Sequence, residues 1–161
     1  SWPAMIGFAF ASALLLQLFD AGVIMPILNR VTGTTIDYSG FAHLQGNPGQ
    51  LVLFLALSWT LAALGEELAY RGYFQKVLGA LFGHGLAGVA LTVVISSALF
   101  GLAHLEQGLI GVVVTTVDAL FYSWLKQKFD NNLWATILTH GFYNSLGVII
   151  FYFTGPIYGL W

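Results

Sequence analysis

Cysteine is absent from this chain. That excludes a disulfide framework, a thiolate-bound metal and a cysteine nucleophile together, and it leaves the redox compartment unmarked. Charge is nearly as scarce. Lysine and arginine number 5 and aspartate and glutamate 7, together 7% of the residues, against roughly 25% in a soluble domain. Too few polar side chains remain to coat a water-facing surface. No basic run or stripe occurs and the net charge is −2, so no nucleic acid is expected as a partner. No fixed-period repeat or low-complexity segment is present. The apolar residues 4–16 lack a basic flank, so a cleaved signal peptide is not expected. The chain opens Ser1-Trp2-Pro3 without an initiator methionine, and the expectation is a trimmed chain with further spans outside it.

What the chain has in abundance is apolar surface. Of its 161 residues 58% are hydrophobic and 16% aromatic. Apolar stretches fall at 4–28, 51–82, 86–103, 108–125 and 133–153. A helix crosses the hydrocarbon core in about 20 residues. The pattern predicts an all-α fold, a multi-pass transmembrane bundle of about five helices, with residues 1–161 as one membrane-embedded domain. Pro26 is expected to end or kink the first span. Residues 29–50 read as a polar connection, either a loop or a re-entrant segment. The stretch 51–82 is too long for one straight crossing, so it is either a surface segment followed by a helix or one long tilted helix. Gly83-His84-Gly85 reads as the break after it, and Asp130-Asn131-Asn132 as a loop that ends in a helix cap. If the spans alternate, Lys76, Lys126 and Lys128 share one side and Arg30 takes the other, which puts the lysine side in the cytoplasm.

Against this background, Glu66-Glu67-Leu68-Ala69-Tyr70-Arg71 stands out. An ionisable group at bilayer depth is costly, and by default it marks function. Glu67 and Arg71 are spaced i,i+4 and can pair on one helical face. Glu66 should point about 100° away from that pair. It is then either a second partner for Arg71, a headgroup contact, or a carboxylate held in a partly dry cavity and ready to accept a proton. Phe100-Gly101-Leu102-Ala103-His104 closes the third stretch, and His140-Gly141-Phe142-Tyr143-Asn144 lies inside the fifth. A lone histidine is commonly a hydrogen-bonded core residue, and His140 with Asn144 could be interhelical polar glue. With Glu66 near mid-depth of a helix over 57–80, however, His104, His140 and Asn144 can reach a common depth.

In order, Glu66-Glu67-x-x-x-Arg71, Phe100-x-x-x-His104 and His140-x-x-x-Asn144 resemble the three-motif signature of the CPBP family. These are the type II CAAX prenyl endopeptidases and their bacteriocin-processing and immunity relatives. The resemblance covers about residues 57–150, the motif-bearing core. It implies an intramembrane glutamate protease in which Glu66 activates water with help from His104. His140 and Asn144 then stabilise the oxyanion, and Glu67 and Arg71 support the site. It implies no cofactor and no metal. The substrate would be a membrane-associated peptide or protein, with or without a lipid modification, cut near its C-terminus or leader. Membrane lipids are the other expected partner, and the location is a membrane, multi-pass, which is the inner or plasma membrane if the cell is prokaryotic.

Competing chemistries remain on the same residues. His-Glu-x-x-His is absent, yet Glu66, His104 and His140 could compose a zinc site with an open position. Ser96, Ser97 and Ser145 lack the Gly-framed setting of a serine nucleophile. An aspartyl protease needs two aspartates at one depth, but Asp118 alone reads as clearly intramembrane because Asp20 lies near a span end. Asp118 is either polar support for the cluster or a packing contact. His43 and His84 read as loop residues. Trp124, Trp134, Tyr152, Tyr158 and Trp161 read as an interfacial aromatic belt. A peptide-binding or immunity protein that keeps the fold without catalysis is the non-enzymatic alternative. A transporter would want a ladder of polar residues through the membrane rather than a cluster.

Overall fold

The computed structural model describes residues 2–156. Five helical segments make up the fold, and no strand occurs among the described residues. They are α1 (Trp2–Thr32), α2 (Pro48–Phe82), α3 (Leu86–Leu102), α4 (Gly108–Lys128) and α5 (Leu133–Thr154). The segments containing α1, α2, α4 and α5 are long and apolar enough to cross a membrane. The 17 residues of α3 fall short of the roughly 20 that a straight crossing needs. Tyr158 and Trp161 lie outside the described residues. Trp124 and Trp134 are both about half exposed.

Local chemistry sets the helix ends. Asn47 caps α2 by accepting from the Gln50 N–H at 3.2 Å, and Pro48 follows at the first helical position, where a missing N–H costs nothing. Gly83 stops α2 with φ 83°, a conformation that disfavours any side chain. Before α5, Asp130 and Asn131 hold φ of 53° and 61°, which short polar side chains tolerate better than others. Asn132 then accepts from the Trp134 N–H at 3.0 Å and caps the helix.

Two readings that the sequence leaves open are decided here. Pro26 does not end the first span. α1 runs on to Thr32, because a π-helical turn over Asp20–Ile24 immediately precedes the proline; its wider bonding pattern gives the ring room without breaking the helix. The stretch 51–82 is one continuous helix rather than a surface segment joined to a helix. Its middle, Ser58–Phe74, is π-helical, and it contains all of Glu66–Arg71.

Packing inverts the soluble pattern. Leu15, Leu81 and Leu86 are 67%, 73% and 91% exposed, while Asp20, Glu67, Arg71, Gln75, Thr139 and His140 are buried. Apolar side chains facing outward are what a lipid solvent requires, and small residues then let the helices approach. The main contacts join α1 to α5, α3 to α4, and α2 to α5. At the last of these, the Trp59 ring packs against Gly141, where a Cβ would collide with it. Gly101 of α3 fits against Thr116 and the Val112 carbonyl of α4 in the same way. These two close approaches set how near α2 and α5, and α3 and α4, can stand around the buried polar groups.

Candidate active site

Glu66 falls close to the midpoint of the 35-residue α2, and His140 and Asn144 flank the middle of the 22-residue α5. Adjacent helices can therefore present them at one level. The structure does so: Glu66, His104, His140 and Asn144 all line a single cavity of about 570 Å³.

Behind the cavity wall lies an ion-paired frame. Arg71 Nη1 donates to Glu67 Oε1 at 3.0 Å, and both side chains are almost completely buried. The same Oε1 receives His140 Nδ1 at 3.0 Å. A carboxylate can only accept, so Nδ1 carries the proton and His140 is held with Nε2 toward Glu66, 3.9 Å from its Oε2. The Arg71 guanidinium sits over the Phe100 ring at 4.4 Å and near the Tyr122 ring at 5.3 Å. Tyr122 in turn stacks on His140, with ring centroids 5.0 Å apart and planes at 20°. The imidazole is thus fixed by one hydrogen bond and one ring face.

The π-helical backbone explains why Glu66 and Glu67 both reach His140. With i→i+5 bonding there are more residues per turn, so neighbouring side chains diverge by less than the expected angle of about 100°. Glu66 makes no ion pair with Arg71; its contact is with His140. When the bonding returns to the α pattern after Phe74, one carbonyl is skipped. Lys126 Nζ donates to the Arg71 carbonyl at 2.7 Å and to Gln75 Oε1 at 3.3 Å. Gln75 continues to Ser96 at 3.1 Å and Ser123 at 2.8 Å, which ties α2 to α3 and α4.

His104 stands beyond the end of α3, at the start of the 3₁₀ turn Leu105–Gln107. Its Nδ1 donates to the Phe100 carbonyl at 2.9 Å, one of the carbonyls left open at a helix end. That assigns the Nδ1–H tautomer and leaves Nε2 as the nitrogen able to exchange a proton. Glu66, His104 and His140 line the same cavity. Among the described residues no group of three His, Asp or Glu side chains has the geometry to hold a metal ion.

Several contributors escape sequence reading. Tyr122 carries no motif, and the one signal that points to it is its i,i+4 spacing from Asp118. Lys126 served only as a marker of orientation. Asp20 is corrected outright: it is 1% exposed within α1, accepts from the Tyr143 hydroxyl at 2.7 Å, and lies against Asp118. Ser96, Ser97 and Ser145 are not among the residues that line the cavity. Ser145 accepts from Trp59 at 3.0 Å and donates to Gly141, and Ser96 is held by Gln75 and Val93.

Carboxylates, imidazoles and an amide thus line one cavity of a helical bundle, four of whose helices are long and apolar enough to cross a membrane. The chain belongs to the type II CAAX prenyl endopeptidase Rce1-like family, whose model matches residues 48–146 and so takes in all three motifs. An uncharacterized protein of Mycoplasma capricolum subsp. capricolum is 30% identical over 101 residues, which is 62% of this chain. The match spans 28% of that protein's length. No solved structure matches the chain.

Proposed function

We propose that the protein is an intramembrane endopeptidase that hydrolyses a peptide bond with a water activated by Glu66. The observation that carries this reading is the convergence of Glu66, His104, His140 and Asn144 on one cavity, with Glu66 and His140 3.9 Å apart. A separation of that size is one that a single water can bridge.

Glu66 takes a proton from the water, and the resulting hydroxide adds to the scissile carbonyl carbon. Negative charge then develops on the carbonyl oxygen. The Asn144 amide donates to it. Because His140 already gives its Nδ1–H to Glu67, an Nε2–H is available only from the imidazolium, which lies between the Glu66 and Glu67 side chains. As the C–N bond breaks, the proton taken from water passes to the leaving nitrogen through Nε2 of His104. Glu67 and Arg71 hold the imidazole in place and touch no reacting atom. The substrate on this reading is a membrane-associated peptide or protein cut near its C-terminus or leader, and the setting is a membrane that the chain crosses several times.

The oxyanion role has its own test. Asn144→Ala removes one donor to a charge that exists only in the transition state, a loss commonly worth about 10²–10³ in kcat. Turnover should fall by about 10²-fold or more while the affinity for peptide, measured in the same purified preparation, stays within a few-fold. A variant that loses peptide binding but keeps kcat would place Asn144 in substrate recognition.

A further inference from the structure

Asp20 of α1 and Asp118 of α4 meet in the interior beside Tyr143. The proposed mechanism uses neither aspartate. Asp20 lies outside the residues that the family model matches. Asp118 is 4% exposed and lines the same cavity as Glu66, and its Oδ1 has no hydrogen-bond partner. A second polar atom at this place is also unpartnered. The Tyr122 hydroxyl, on a residue 1% exposed, belongs to a cavity-lining side chain one helical turn from Asp118. Buried polar atoms are ordinarily paired, so two orphans on one wall of a cavity point to something that enters it.

The charge of the lining says what that is. Glu66, Glu106 and Asp118 all contribute to the cavity, with Asp20 directly behind Asp118, and among the described residues no lysine or arginine lines it. Arg71 is committed to Glu67 behind the Phe100 and Tyr122 rings. A buried carboxyl group is stabilised by an N–H donor or a counter-charge, and an anionic group placed against Asp118 would be repelled by it. We propose that Asp118, backed by Asp20 and Tyr143, forms an acidic subsite that receives an ammonium or guanidinium group of the peptide, with the Tyr122 hydroxyl accepting a further N–H. α4 places this subsite roughly 6 Å along the helix axis from Tyr122, the ring stacked on His140. The cationic residue therefore lies within a residue or two of the scissile bond. The inference rests on the peptidase reading for the origin of its occupant, but its test need not depend on turnover.

The test uses the Glu66→Gln protein in detergent or nanodiscs, which binds without cutting. Fluorescent apolar peptides carry one lysine moved position by position, each paired with a norleucine and a glutamate counterpart. At one or two adjacent positions lysine should bind about tenfold or more tighter than norleucine, the range of a charge-assisted hydrogen bond, and glutamate should bind weakest. Asp118→Asn should flatten the lysine preference at those positions and leave the other positions unchanged. If Asp118→Asn folds poorly, the lysine–norleucine contrast on protein with Asp118 intact still decides. Equal binding of lysine and norleucine peptides at every position would overturn the subsite. Cleavage by the unsubstituted protein is scored separately: a lysine preference in binding without cleavage would fault the peptidase reading alone, and cleavage without a preference would fault the subsite alone.

Discussion

Glu66→Gln should abolish measurable turnover, with a fall of about 10³-fold or more. The substitution keeps the shape and the hydrogen-bonding reach of the side chain and removes only its ability to take a proton. A positioned general base contributes roughly 10²–10⁴ on its own, and here the same group also starts the proton on its way to the leaving nitrogen. The frame behind it should survive, because Arg71, Glu67 and His140 bond to one another without Glu66. Folded yield and thermal stability should therefore stay near those of the parent protein. Turnover within a few-fold of the parent would remove Glu66 from the chemistry.

Arg71→Ala should act on the fold first. The guanidinium is 1% exposed, bonded to Glu67 and packed on the Phe100 ring. Its loss leaves Glu67 buried with His140 as its remaining ion-pair partner, and breaking a buried pair from one side commonly costs about 3–5 kcal/mol. That is a large share of the stability of a small domain. The yield of folded protein and its melting temperature in detergent should both drop, and activity with them. Arg71→Lys should rescue only in part, because an ammonium cannot both pair with Glu67 and lie flat on the ring. An Arg71→Ala protein with unchanged stability and selectively lost turnover would make Arg71 a direct participant instead.

These expectations draw on features that differ in how far the sequence reveals them. The helices were legible because apolar runs of membrane length leave little alternative, and because Gly83 and Asn132 punctuate them in ways local chemistry dictates. The motif residues were legible as polar groups in an apolar setting. The π-helical stretch of α2 was not. Its bonding depends on the packing of α2 against α5 and α3, and nothing in Ser58–Phe74 distinguishes i→i+5 from i→i+4 by periodicity alone. That one difference turned Glu66 toward His140. Asp20 was misjudged for a related reason. Its depth depended on whether Pro26 ended the span, and the π turn before the proline carried the helix past it. His104 looked like a helix residue, yet it sits just outside the helix, where its ring caps the Phe100 carbonyl. Tyr122 and Lys126 act through contacts between helices distant in sequence, which no local spacing encodes.

The central claim is that a carboxylate, not a metal, activates the water. Glu66, His104 and His140 are also the residues a zinc-bound water would use, and such a water would need the ion to lower its pKa. The direct measurement is turnover of the purified protein after exhaustive chelation, with the metal content of the same sample determined by elemental analysis. On this account activity persists at the level before chelation with no stoichiometric metal present, and added zinc does not raise it. Activity that vanishes on chelation and returns with one equivalent of zinc would contradict the glutamate mechanism.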